Sequence, residues 1–192
     1  MSKEEPLSIL IAALGGEGGS VLADWIVDCA LERGLPVQAT SVPGVAQRTG
    51  ATSYYIELMR VPAPHDGRPI AARPSAARPI FALSPVPGCV DVVLASELLE
   101  AARMIERGFV NPQRTTLIMA RHRVYTTLEK MQMGDGRFDE ARVHEAARSC
   151  AMRCLSVDMQ ALTARHGTVI SAVMFGALAG AGVLPWDRQT CE

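Results

Sequence analysis

The chain opens with an unbroken apolar run, Leu7-Ser8-Ile9-Leu10-Ile11-Ala12-Ala13-Leu14, which then breaks into Gly15-Gly16-Glu17-Gly18-Gly19. A short apolar run that ends in glycines predicts a strand buried on both faces. Beyond the glycines, Val21, Leu22, Trp25, Ile26, Cys29 and Ala30 recur at helical spacing, Asp24, Asp28 and Glu32 fall on the opposite side, and Gly34 marks the stop. This strand, glycine turn and helix are the opening unit of a doubly wound α/β fold.

Val37 to Val42 and Thr52 to Met59 are the next strands, the latter rich in β-branched and aromatic residues, with Gly44 to Gly50 joining them. From 61 to 87 the chain carries Pro62, Pro64, Pro69, Pro74, Pro79, Pro85 and Pro87 with Arg68, Arg73 and Arg78 between them, which predicts an extended surface excursion with a short strand at Ile80 to Leu83. Strand–helix alternation resumes with Val90 to Ala95, then a helix capped by Ser96 that runs through Leu98, Leu99, Ala102 and Ile105 to Gly108. Short strands are predicted at Thr115 to Met119 and Val124 to Thr127, a long helix from Phe138 to about Arg165, and a last helix from Val169 to Gly182. In that last helix Ala172, Gly176 and Gly180 repeat at a four-residue interval, a smooth stripe where another backbone can approach. The expected architecture is a single α/β domain over 1–192, with a doubly wound, mainly parallel sheet, helices on both faces and the Pro/Arg-rich excursion at 61–87.

Nineteen Lys and Arg against twenty Asp and Glu leave a net charge of -1, so no global field exists to hold nucleic acid, and aromatics at 5% offer few platforms for bases. The charged start, Met1-Ser2-Lys3-Glu4-Glu5-Pro6, lacks the pattern of a secretory signal, and a cytoplasmic location is expected. Val169 to Leu184 is shorter than the ~20 residues of a membrane span and is read as a buried helix. The cysteines are Cys29, Cys89, Cys150, Cys154 and Cys191, without iron–sulfur or zinc spacing; reduced structural thiols are expected. Cys150 and Cys154, four apart in a segment read as helical, are the one pair that would share a face, and no histidine stands near at ligand spacing.

The glycine turn invites comparison with a dinucleotide fingerprint, but from Gly16 the third glycine position is Val21, and no Lys-Ser/Thr follows as in a P-loop. Glu17 sets a carboxylate where a pyrophosphate would lie. Two readings stand: a nucleotide site, or a tight strand-to-helix connection that docks a partner or edges a shared site. The second polar signature is Gln47-Arg48-Thr49-Gly50, where Gly44 and Gly50 permit close backbone approach and Arg48 offers five fixed donors to a carboxylate, phosphate or carbonyl. A solvated turn is the plainer reading of that arginine. His65, His122, His144 and His166 are scattered, with no serine or cysteine elbow, so no catalytic residue is assigned. Asp91, Glu97 and Glu100 bracket a strand and the following helix start, and read as charges complementing the helix dipole.

Taken in order, Leu14-Gly15-Gly16-Glu17-Gly18, Val42-Pro43-Gly44-Val45-Ala46-Gln47-Arg48-Thr49-Gly50, Asp91-Val92-Val93-Leu94-Ala95-Ser96-Glu97 and Met174-Phe175-Gly176-Ala177-Leu178 resemble the gamma-type domain of 2-oxoacid:ferredoxin oxidoreductases, and within it the beta subunit of the indolepyruvate enzymes. The resemblance runs from about Ile9 to Pro185. It implies a small subunit of a thiamine-diphosphate enzyme that oxidatively decarboxylates an aryl 2-oxoacid and passes electrons to ferredoxin. Thiamine diphosphate with Mg and the iron–sulfur clusters belong, by the resemblance, to a larger partner subunit, with coenzyme A a further candidate and no metal held by this chain. It also makes Gly15, Gly16, Glu17, Gly18, Gln47, Arg48 and Thr49 a rim for a cofactor or for the partner. The family usually shows Gln at Glu17, Gly at Thr49 and an Asn near Ser171. A self-contained nucleotide- or coenzyme-A-binding module is the rival expectation.

Overall fold

The computed structural model describes residues 5–42, 51–61, 79–124 and 139–192. A six-stranded sheet runs through it: β1 (Leu7–Leu14), β2 (Val37–Val42), β3 (Ala51–Leu58), β4 (Val92–Ala95), β5 (Thr116–Ala120) and β6 (Arg153–Val157), in the order β2-β3-β1-β4-β5-β6. β4 lies parallel to β1, β5 to β4 and β6 to β5, whereas β3 runs antiparallel to both β1 and β2. Among the described residues five α-helices accompany the strands: α1 (Gly19–Glu32), α2 (Leu98–Glu106), α3 (Glu140–Cys150), α4 (Met159–His166) and α5 (Ile170–Gly180).

Period-two alternation in β1 divides the core into two. Leu7, Ile9, Ile11 and Ala13 face a cluster with Leu22 and Ile26 of α1 and Met174 and Leu178 of α5. Leu10 and Ala12 face a second cluster with Leu98, Ala101 and Met104 of α2 and Val143 and Ala147 of α3. Strand β1 is therefore apolar on both sides because helices cover both sides, each fully buried Leu or Ile contributing about 1.5–3 kcal/mol. The doubly wound expectation is met, and β1 and β4 send their helices to opposite faces.

Five expectations need correction. The long helix from 138 to 165 is two helices separated by a strand: Ala151 turns extended, Met152 and Arg153 N–H donate to the Thr115 carbonyl at 3.0 and 3.3 Å, and β6 joins β5. Asp158 restarts the helix by accepting from Ala161 N–H at 3.0 Å. Cys150 and Cys154 thus sit on different elements and share no helix face. Ser96 is not the cap of α2; Glu97 is, its carboxylate accepting the Glu100 N–H at 2.8 Å. Ile80 to Leu83 is no strand: side chains anchor it, with Ala82 N–H donating to Glu57 Oε2 at 2.6 Å and Thr40 Oγ1 to the Leu83 carbonyl at 2.9 Å. Val124 is likewise outside any strand, and 125–127 lie outside the described residues, as do Phe138 and most of the Pro/Arg-rich stretch, 62–78. Finally, a Cβ at Gly176 or Gly180 would meet nothing within 4 Å, so the small-residue stripe of α5 faces open space among the described residues.

Candidate functional site

Because β1 and β4 are adjacent, parallel and feed helices on opposite faces, their carboxyl ends flank the crevice where doubly wound folds place ligands. The glycine turn closes β1 at this crevice. Glu17 N–H donates to the Leu14 carbonyl at 3.1 Å and Gly16 has φ 90°, the positive angle that the third position of a type II turn requires. The next two glycines serve packing. A Cβ on Gly18, itself at φ 74°, would lie 2.8 Å from Ser171 Oγ at the start of α5, and one on Gly19 would lie 2.7 Å from both Ala13 Cβ and Tyr54 Cε2. The turn is held by its neighbours on both sides.

Glu17 does not point to solvent. Its carboxylate crosses the crevice, where Ser96 Oγ donates to Oε2 and the His122 ring nitrogen Nε2 stands 3.5 Å from Oε1. Ser96 also accepts from Leu14 N–H at 3.0 Å and its own N–H donates to the Ala12 carbonyl at 3.0 Å, so one side chain ties the end of β1 to the end of β4. His122 follows β5 with its side chain only 5% exposed; its carbonyl accepts the Leu98 N–H at 2.9 Å, while neither ring nitrogen has a hydrogen-bond partner among the described residues.

Behind this layer lie two buried carboxylates, Glu97 and Glu100. Burial pushes Glu97 up, the N–H groups of Leu99, Val124 and Glu100 pull it back, and the Glu17 carboxylate adds to the rise. Burial pushes Glu100 up to about 6, against the pull of Arg103 and with Glu97 and Glu17 adding to the rise. The Arg103 guanidinium stands 3.0 Å from Glu100 Oε1, as an ion pair without hydrogen-bond alignment. The Ser96 hydrogen goes to a carboxylate and the histidine reaches that same carboxylate, so serine and histidine do not form a nucleophile–base pair. The arrangement fixes the rim and fills its anion position from within the chain.

Of the expected rim, Gly15, Gly16, Glu17 and Gly18 are placed at the end of β1, beside a cleft of about 420 Å³ lined by Val21, Trp25, Val169 and Ser171. Gln47, Arg48 and Thr49 lie outside the described residues; the flanking positions Val42 and Ala51 are paired with Ser53 and Leu14 at this same end of the sheet. Asp91 is separated from Glu97 by the length of β4. It sits at the opposite rim, bonded to Ser8 N–H at 2.9 Å and to Arg114 Nε at 2.7 Å. Sequence reasoning passed over Ser96 as a ligand of Glu17 and over His122 and Ser171. The available signal was position: Ser96 comes just after β4, which pairs with β1, and His122 just after β5, the next strand across. Among the described residues no three His, Cys, Asp or Glu side chains converge as metal ligands.

A sequence model of the family described as pyruvate ferredoxin/flavodoxin oxidoreductase matches residues 8–191. No curated protein matches the chain. Among solved structures, the 2-oxoglutarate:ferredoxin oxidoreductase of Magnetococcus marinus, with 2-oxoglutarate, coenzyme A and succinyl-CoA bound, aligns at TM-score 0.58 and 14% identity, over 97% of this chain and 26% of that one. The gamma subunit of a keto/oxoacid ferredoxin oxidoreductase from Geobacter sulfurreducens aligns at TM-score 0.51 and 12% identity, over 97% of this chain and 81% of that one. A pyruvate oxidoreductase subunit from Thermotoga maritima aligns at 0.48 and 14%, over 94% and 79%. The chain thus spans about a quarter of the Magnetococcus chain, and at these identities the likeness is one of fold.

Proposed function

The chain belongs to the pyruvate ferredoxin/flavodoxin oxidoreductase family, and on that premise we propose that it is the small subunit of a 2-oxoacid:ferredoxin oxidoreductase, completing a cavity that a larger subunit begins. The observation that carries this reading is α5. From Ile170 to Leu184 the chain has no charged side chain, yet α5 fully buries only Ser171, Met174 and Leu178, and Gly176 and Gly180 are exposed. A helix that is apolar all round belongs inside something larger.

The chemistry is assigned to the partner. Thiamine diphosphate supplies the carbanion-stabilising group for decarboxylation in such a complex. The glycine turn does not fit a diphosphate, because the Glu17 carboxylate already fills the crevice and engages Ser96. The described residues do not fit a metal or a cluster either. What this chain contributes is a rigid rim: Ser96 and Glu17 lock the ends of β1 and β4, and Gly18 seats the turn on Ser171. Substrate is proposed to be indolepyruvate or another arylpyruvate, with ferredoxin as acceptor reached through the larger subunit and coenzyme A entering beside the rim. Support for the aryl substrate is the ordered set of sequence motifs around Gly16, Arg48, Glu97 and Gly176.

Co-expression with the larger subunit tests the proposal. Gly176→Arg places a charge where the described residues offer no obstacle, so the isolated chain should melt as the wild type does while co-purification is lost. Failure of the wild-type chain to associate with any thiamine-diphosphate and iron–sulfur subunit overturns the reading.

A further inference from the structure

Two thiols far apart along the chain line one cleft. Cys29, near the end of α1, is 8% exposed, and its Sγ donates to the Thr190 carbonyl at 3.4 Å. Cys191, the next residue, closes a 3₁₀ turn at Arg188–Cys191, packs against the edge of the first core and accepts from the Trp186 indole N–H at 3.3 Å. The two thiols line one cleft of about 550 Å³ between α1, α5 and the turn, and the Cys29 sulfur reaches the carbonyl of the residue next to Cys191. Arg33, also from the end of α1, holds the turn in place through Thr190 Oγ1 at 2.8 Å and Asp187 Oδ1 at 3.0 Å. The backbone that carries Cys191 is thus anchored to the end of α1, with both thiols in the same cleft.

We propose that Cys29 and Cys191 are a redox-active dithiol that closes to an intramolecular disulfide under a peroxide oxidant, independently of any partner subunit. Burial, then the neighbouring Cys191 sulfur, pushes the Cys29 thiol up to about 11, so it stays protonated at neutral pH and Cys191, partly exposed, reacts first. The Cys191 thiolate attacks a peroxide oxygen; the O–O bond breaks, one water leaves and Cys191 becomes a sulfenic acid. The Cys29 sulfur then attacks the sulfenyl sulfur, an S–S bond replaces the S–O bond, and the Cys29 proton leaves with the hydroxyl as a second water. Hydrogen peroxide is reduced and the dithiol is oxidised, with nothing else consumed. The product staples the Arg188–Cys191 turn to α1, which the glycine rim precedes.

The test is made on the full-length chain. It is treated with hydrogen peroxide, quenched with N-ethylmaleimide under denaturing conditions and digested without reductant for mass spectrometry. Two of the five thiols should be lost to a Cys29–Cys191 linked peptide and recovered with dithiothreitol. Cys191→Ser should leave Cys29 fully alkylated, and Cys29→Ala should drive Cys191 on to the sulfinic acid, because no resolving thiol is present. Linkage to Cys89, Cys150 or Cys154 instead, or a wild-type Cys191 that proceeds to sulfinic acid while Cys29 is alkylated, overturns the proposal.

Discussion

If the second half of the glycine turn exists for packing, Gly18→Ala must fail for a reason that a second substitution can relieve. The new Cβ meets two costs. At φ 74° and ψ 29° it occupies left-handed backbone, at about 1–2 kcal/mol for an L residue. It also arrives 2.8 Å from Ser171 Oγ and 3.1 Å from Ser171 Cβ, and Ser171 is 3% exposed with little room to yield, an overpacking cost of about 1–3 kcal/mol. The sum is about 3 kcal/mol, which lowers the melting temperature of a chain of this size by about 6–12 °C. Ser171→Gly alone removes the obstacle at the expense of a glycine in α5, about 0.5–1 kcal/mol. In the double variant the clash is gone and only the backbone strain and the helix glycine remain, so chemical denaturation should show a favourable coupling of about 1–3 kcal/mol between the sites. Additivity to within about 0.5 kcal/mol would mean that the two residues do not touch, and the packing account of the turn would fall.

Ser96→Ala removes both the acceptor of Leu14 N–H and the donor to the Glu17 carboxylate; urea unfolding should show a loss of about 2–4 kcal/mol, and Ser96→Thr should recover part of it. Glu100 has a folded pKa of about 6 above its ordinary 4.5, so the folded state binds the extra proton and stability falls as pH rises through this window. Glu100→Gln should therefore raise stability by about 1–2 kcal/mol at pH 8 and by almost nothing at pH 4.5, a difference that denaturation at the two pH values reads directly. At the other rim, Asp91→Ala strands Arg114 and the Ser8 N–H and should cost about 3–5 kcal/mol by denaturation, while Asp91→Asn keeps the acceptor for Ser8 and costs less.

The alternation of strand and helix was legible wherever local pattern and tertiary burial agree. Leu7–Leu14 and Val37–Val42 were read to the residue, because an apolar or β-branched run bounded by glycine or proline needs no distant partner to be recognised. Arg153–Val157 was lost inside a supposed helix: its half-exposed side chains have no strong two-residue period, and its pairing with β5 is non-local. Asp158, an N-cap residue in mid-segment, was the overlooked sign. The turn after β1 was legible in its glycines, since a left-handed conformation is written in residue type. Ser96 and His122 were not, because what makes them neighbours of Glu17 is strand order, and a carboxylate turned inward looks in sequence like one turned outward.

The central claim is that this polypeptide works only as part of a larger assembly. Ferredoxin reduction by indolepyruvate, measured with the co-purified complex, with the larger subunit alone and with this chain alone, tests it most directly. The account predicts full turnover in the complex, loss with the larger subunit alone and none with this chain alone. Turnover by the isolated chain, or undiminished turnover by the larger subunit without it, would contradict the account.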